Sequence, residues 1–457
     1  MGDGLALETL VTPGLGDSSH VVVSGSEALV VDPQRDVARL LSVAERLGAE
    51  IRAVLETHVH NDYVSGAAEL RAVTRAEIAG PADAGYRFPF TRLEEGSEVR
   101  IGEHRLIAMR TPGHTPEHLS YLLVGPGSDR PTAVFTGGSL IVGSAGRTDL
   151  LGPEQTDRLT RAQYRSLRRL LELPDATLVL PTHGAGSFCA STEPLEERSS
   201  TIGRERATNP ALAPIDEDAF VREQLSGLSA YPSYYAHMAP INRAGPRVFG
   251  RVPLPRPLGP EDAADRLAAG ARLVDARPGT RFAERHVPGS LNVPLDESFA
   301  SYVGWLVPLP TPIVLVLPDS AGALEDAATQ LFRIGYERLE GFLDGGIDAW
   351  RAAGLRTGSY PVASLDEAVA LARSEPARLL DVRQRAEWDA GHVQGSRHAF
   401  VADLPERLAE LPADRELVVA CATGFRASIA ASLLGAAGLG VRVLARGGVP
   451  SVLRRLG

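Results

Sequence analysis

Short apolar runs rich in β-branched residues recur along the first half of the chain. They read H-V-V-V-S-G (20–25), E-A-L-V-V-D (27–32), I-R-A-V-L-E-T-H (51–58), H-R-L-I-A-M-R-T (104–111), T-A-V-F-T-G (132–137) and T-L-V-L-P-T-H (177–183). Runs of this length bounded by turn residues predict strands. Polar residues with lone pairs fall just after several of them, which suits a site built on loops at strand ends. In the second half, strand-like runs such as A-R-L-V-D-A (271–276), P-I-V-L-V-L (312–317), A-R-L-L-D-V (377–382) and E-L-V-V-A-C (416–421) alternate with helical stretches, E-D-A-A-T-Q-L-F-R-I-G (325–335) and R-A-S-I-A-A-S-L-L-G-A-A-G (426–438). That alternation predicts parallel β–α units with helices on both faces of a sheet.

The second half also repeats itself. Asp275-Ala276-Arg277 returns as Asp381-Val382-Arg383, H-V-P-G-S (286–290) as H-V-Q-G-S (392–396), and Gly345-Gly346 as Gly447-Gly448. Nearly constant offsets imply two tandem copies of one small domain, residues 259–358 and 359–457. The Pro- and Gly-rich stretch 246–258 reads as a linker, and residues 1–245 as a larger first domain. A length of 457 residues is enough for about three domains.

Composition narrows the function classes. A net charge of −10 argues against a nucleic-acid partner, and no run approaches the roughly 20 apolar residues of a membrane span. The start, MGDGLALETL, has neither a basic region nor an apolar core, so no signal peptide is expected. The sequence contains no lysine, which excludes Schiff-base chemistry and a Walker-type phosphate loop. Cys189 and Cys421 are the two cysteines, far apart in sequence. A disulfide framework is not expected, and a reducing cytoplasm is the expected setting.

Cys421-Ala422-Thr423-Gly424-Phe425-Arg426 follows an apolar run and opens a helical one. Amide groups at a helix N-terminus stabilise a thiolate, Gly424 permits the tight turn, and Arg426 supplies a fixed cation. This loop, with D-V-R and G-H-V-Q-G upstream and a G-G near the end, resembles the rhodanese family over residues 360–457. The resemblance implies that Cys421 accepts a sulfane sulfur, with Arg426 in the catalytic loop and Thr423 and Gly424 in contact with substrate. In the first copy the matching loop is Leu317-Pro318-Asp319-Ser320-Ala321-Gly322, without Cys or Arg. That copy is expected to be catalytically silent.

T-H-V-H-N-D-Y (57–63), T-P-G-H-T (111–115), F-T-G-G-S-L (135–140) and P-T-H-G (181–184) together resemble the metallo-β-lactamase superfamily, with its αβ/βα sandwich, over residues 5–230. G-R-T-D-L (146–150) and S-T-I-G-R-E-R (200–206) resemble its persulfide dioxygenase branch. The fold class expected is therefore α/β: one such sandwich, then two rhodanese-like domains with parallel sheets. In that branch one iron is held by two histidines and an aspartate, which map to His58, His114 and position 138. Here position 138 is Gly. His60 moving in, a water or anion, or an empty site are the three expected outcomes. A two-metal site would also need residues 63 and 138 as ligands, where Tyr63 and Gly138 stand, so at most one metal is expected. Arg147 maps to the arginine that grips a substrate carboxylate. Cys189 is either a core residue or a thiol that holds a persulfide near the metal, and His118 fits no constellation.

The resemblances imply an enzyme that uses one Fe(II), or zinc, with O2 to oxidise a glutathione-type persulfide to sulfite, coupled to sulfur transfer through Cys421 with thiosulfate as a donor. The alternative is a sulfurtransferase whose degraded metal site is a persulfide-binding scaffold. A non-catalytic sulfane-sulfur sensor is the third reading. No nucleic acid or membrane partner is expected, and a homo-oligomer is compatible with all three.

Overall fold

A computed structural model describes residues 4–192 and 194–457. It divides into two compact units, residues 1–252 with 332–335, and residues 253–331 with 336–457. Among the described residues no helix is long and apolar enough to cross a membrane.

The first unit contains two six-stranded sheets. One runs in the spatial order Leu5–Thr12, Asp17–Ser24, Glu27–Val31, Glu50–Leu55, Glu77–Pro81, Thr91–Leu93. The other runs Ser200–Thr201, Leu178–Pro181, Pro131–Gly137, Leu119–Val124, His104–Arg110, Glu98–Ile101. The strand Asp17–Ser24 is buried along its whole length, which explains why V-V-V is a continuous apolar run rather than an alternating one. Val22 points with Leu29 and Leu55 into a core shared with Tyr121, Leu123 and Phe135 of the opposing sheet. Its neighbours Val21 and Val23 point the other way, against Leu40 and Val43 of the helix Ala38–Arg46 and Leu70 of the helix Ala67–Thr74. Val134 and Val179 do the same on the far side, against Leu167 of the helix Pro153–Leu170. Helix, sheet, sheet, helix is thus the layer order, as the αβ/βα expectation required.

The second unit holds two parallel sheets. The first is ordered Pro257–Leu258, Leu339–Leu343, Ile313–Val316, Arg272–Asp275, Leu291–Asn292, and the second Arg397–His398, Leu379–Asp381, Leu417–Ala420, Val441–Val443. The stretch assigned to a linker differs from expectation at its end, because Pro257–Leu258 pairs with Phe342 and Leu343 as an edge strand. Pro is tolerated there as the first residue of an edge strand.

The repeated motifs are two copies of one scaffold. Arg277 folds back on Asp275 and donates to the Arg285 carbonyl at 2.8 Å. Arg383 does the same with Asp381 and the Gly391 carbonyl, also at 2.8 Å. His286 stacks on Phe282 and His392 on Trp388, with ring centroids 4.1 and 3.9 Å apart. The two copies meet through small residues. A Cβ at Gly279 of the first would lie 1.9 Å from Ser428 Oγ of the second, and the Asn292 amide donates to Ser432 Oγ at 3.0 Å.

Candidate functional sites

Loops that leave strand ends on one edge of the first unit's sandwich bring five histidines together. His58 and His60 follow Glu50–Leu55, His114 and His118 follow His104–Arg110, and His183 follows Leu178–Pro181. All five are buried. Two threonines that precede histidines in sequence explain how the loops are tied. Thr57 and Thr182 both donate their hydroxyls to Asp32 Oδ2, the former at 2.7 Å, and the Thr57 amide donates to Asp32 Oδ1 at 2.7 Å. Asp32 itself has φ of 50°, an unusual conformation for a non-glycine residue. Glu117 accepts the Val59 amide at 3.0 Å and so fixes the loop between the two histidines.

Three rings share one arrangement. His58 Nδ1 lies 2.8 Å from Thr57 Oγ1, whose own hydrogen goes to Asp32, so the ring nitrogen is the donor. His114 Nδ1 donates to the Arg147 carbonyl at 2.8 Å, and His183 Nδ1 faces Asp17 Oδ1 at 2.8 Å. The Nδ1 atoms of His58 and His114 thus carry the proton, that of His183 does so against an ionised Asp17, and each Nε2 then keeps its lone pair, the state a metal ligand requires. His58 Nε2 and His183 Nε2 are 3.5 Å apart. His114 Nε2 is buried with no hydrogen-bond partner among the described residues. Ligand atoms of His58, His114 and His183 lie within 4.8 Å of one another. Burial, reinforced by the neighbouring imidazoles, holds His58 and His114 well below the ordinary histidine value, and burial lowers His183 as well. Converging Nε2 atoms, that of His114 without a partner, on neutral rings fit a divalent metal.

His60, the expected third ligand, shares ligand-distance groupings with Asp32 and His58 and with Asp62 and His183, and its ring also has other partners. Its Nε2 lies 3.1 Å from Glu56 Oε2, 3.0 Å from Tyr63 Oη and 3.3 Å from Asp32 Oδ1. Burial alone would strip its proton, but Asp32 and Glu56 outweigh that and hold its pKa well above the ordinary value. Burial pulls Asp32 the other way, and His60 with the threonine donors wins, lowering the carboxyl to about 2. Burial pushes Asp17 and Asp62 each up to about 7. At Gly138, an added Cβ would meet His114 Cδ2 at 2.3 Å. His118, which fits no motif in the sequence, accepts the Gly138 amide on Nε2 at 3.0 Å and so anchors that backbone beneath the cluster.

Arg147, expected to grip a substrate carboxylate, is engaged within the protein. It is buried, with Nε and Nη2 each 2.7 Å from the Asp149 carboxylate, Nη1 on the Phe188 carbonyl, and Nη2 also on the Ser229 carbonyl. A guanidinium this engaged holds loops together, and a substrate carboxylate would have to displace Asp149. Cys189 is fully buried against Tyr235 Oη at 3.9 Å, and burial pushes its thiol well up. Both features disfavour a thiolate there.

In the second unit Cys421 closes the strand Leu417–Ala420, and the helix Phe425–Ala436 begins four residues later. The Gly424 amide donates to Cys421 Sγ at 3.1 Å. Gly424 has φ of 112°, and a Cβ on it would lie 2.3 Å from the Ala445 carbonyl oxygen, so the loop needs glycine there. Arg426 in the first turn pairs with Glu387. Tyr302 of the first copy packs its ring 5.2 Å from that of Phe425.

Residues 12–183 match the metallo-beta-lactamase superfamily, and residues 259–353 and 364–450 each match the rhodanese-like domain. A hydroxyacylglutathione hydrolase of Cereibacter sphaeroides is 33% identical over 199 residues, 42% of this chain and 73% of that protein. One of Pseudomonas entomophila is 31% identical over 207 residues, 40% of this chain and 76% of that protein. Among solved structures, a metallo-beta-lactamase from Staphylococcus aureus is 27% identical with a TM-score of 0.67, over 74% of this chain and 98% of that one.

Proposed function

We propose, from the premise that the chain belongs to the metallo-beta-lactamase superfamily and carries two rhodanese-like domains, that it oxidises a low-molecular-weight thiol persulfide to sulfite and transfers sulfane sulfur through Cys421. The observation that carries this reading is the presence in one chain of a cluster of metal-ready imidazoles and a cysteine whose sulfur accepts a loop amide. Relatives named for a glutathione thioester support a glutathione-type thiol.

The imidazoles of His58 and His114 would hold the metal, iron(II) in this reading. When bound it supplies a Lewis acid and an electron relay for O2 and the persulfide. Asp32 fixes His58 through Thr57, the Arg147 carbonyl fixes His114, and both rings are buried. Overall, persulfide, O2 and water yield thiol and sulfurous acid, so the outer sulfur is oxidised and O2 reduced. At the second site the Cys421 sulfur attacks the donor's outer sulfur and forms an S–S bond. The donor's own S–S bond breaks, sulfite leaving from thiosulfate or a thiolate from an organic persulfide. The Gly424 amide stabilises the negative sulfur before and after transfer.

Anaerobically prepared protein should hold about one iron and consume O2 with glutathione persulfide. A protein that does neither, while thiosulfate-to-cyanide transfer depends on Cys421, overturns the oxidative half. Gly138 favours that second reading, a sulfurtransferase with a persulfide-binding scaffold, in which Cys421→Ser abolishes every activity and His114→Ala changes little.

A further inference from the structure

We infer that a metal in the first unit is held by three imidazoles, His58, His114 and His183, with His183 taking the place of a carboxylate at position 138. The inference rests on the reading that this site holds a metal, and it names the ligand set and the class of ligand such a centre favours.

Two ligands of one tetrahedral ion with bonds of about 2.0–2.1 Å sit roughly 3.4 Å apart. His58 Nε2 and His183 Nε2 are 3.5 Å apart. Each of the three rings commits Nδ1 to an acceptor, Thr57 Oγ1, the Arg147 carbonyl or Asp17 Oδ1, all at 2.8 Å. Each therefore presents Nε2, the outer-partner arrangement that orients metal-bound histidines. Position 138 cannot contribute, and its space is taken. A Cβ there would fall 2.3 Å from His114 Cδ2 and 2.8 Å from His114 Nε2. The ring thus stands where a side chain at 138 would begin. His60 has its Nε2 turned to Glu56, Tyr63 and Asp32, while its Nδ1 has no partner among the described residues. With Asp32 and His58, or with Asp62 and His183, it forms the competing ligand groupings, and the test must separate them from the three-imidazole set.

Three neutral imidazoles leave a divalent ion its whole charge, where two imidazoles and a carboxylate leave about half. Such a centre favours an anionic ligand, here a persulfide anion, over a neutral thiol.

The experiment is metal content and affinity of the full chain, using zinc or cobalt(II) alone as probe, with the cobalt absorption spectrum reporting the ligand set. His183→Ala and His114→Ala should each weaken binding by at least 10–100-fold, and His60→Gln by less than about threefold. Gly138→Asp should leave affinity unchanged or lower. His183→Gln, which keeps the side chain's bulk, guards against a folding artefact, and thermal melting of the metal-free variants is read alongside. Unchanged affinity in both His183 variants overturns the inference, as does a tenfold gain in Gly138→Asp, or a wild type that binds neither metal. O2 consumption is not a readout here. Binding that depends on His183 without oxidation sustains the ligand set and sinks the oxidative function, and the reverse result does the opposite.

Discussion

Glu387 grips Arg426 with both carboxylate oxygens, at 2.5 and 2.8 Å. The same carboxylate accepts the Gln384 amide at 3.1 Å, so it also caps the helix Arg385–Ala390. Burial would raise Glu387, but Arg426 outweighs it and holds the carboxyl below its ordinary value. The one cation in the Cys421 loop is therefore already neutralised. An incoming dianion such as thiosulfate meets little net attraction.

Glu387→Gln should free that charge. At a separation near 4 Å in a wet site, one charge is worth about 1 kcal/mol, or roughly fivefold. The KM for thiosulfate should fall by about that factor with kcat within twofold. Steady-state assay of sulfur transfer to cyanide checks it. A fall in kcat instead would show that the pair positions Arg426 rather than masks it.

Gly424→Ala should damage loop and fold together. At φ of 112° with a carbonyl oxygen 2.3 Å from the new Cβ, the strain is on the order of 1–3 kcal/mol. Urea unfolding should show a lower midpoint with an unchanged slope, and sulfur transfer should fall at least tenfold. Cys421→Ser, by contrast, should abolish transfer at near-normal stability.

Arg147→Ala tests two roles at once. Its guanidinium ties Asp149 to the Phe188 and Ser229 carbonyls in a buried setting. Removing it should cost about 3 kcal/mol, the range for breaking a buried pair. Thermal melting measures that. A grip on substrate would instead raise KM for the glutathione persulfide and leave melting unchanged.

Asp32→Asn should change the acid limb of stability. The folded-state carboxyl is lowered from 3.8 to about 2, so its contribution is present above about pH 4 and is lost as pH falls toward 2. Metal-free wild type should lose stability across that window. The Asn variant should be weaker at neutral pH and show a shallower acid slope, as read by denaturant midpoints from pH 2 to 7. Metal affinity should also drop 10–100-fold, because one of the two oxygens that accept from Thr57 becomes a donor and the set of bonds fixing the His58 tautomer is broken.

Much of this architecture is legible in residue order because it is local. Asp381 and Arg383 are two positions apart, Trp388 and His392 four, and the Cys421 loop is contiguous. The cluster in the first unit is legible only as a set of parts. Asp17 sits far from His183 in sequence yet bonds it, and Asp32 joins Thr57 to Thr182 without belonging to any motif. The one sequence signal was the threonine before each of those histidines. His60 stands beside His58 in a metal-type motif, but its ring answers to Glu56 and Tyr63, which sequence spacing does not reveal. The partners of Arg147 were equally out of sight, since a motif says nothing about Asp149 and two carbonyls filling its donors.

The copy without a cysteine is not thereby free to vary. Its loop at 317–322 carries no thiol, yet Gly279 faces Ser428 so closely that a methyl group would collide, and the Asn292 amide is spent on Ser432. Mutational tolerance in the first copy should therefore be the reverse of that in the second. The loop at 317–322 is the permissive stretch. The plain helix start at Gly279, remote in sequence from any cysteine, becomes the residue its neighbour will not allow to change.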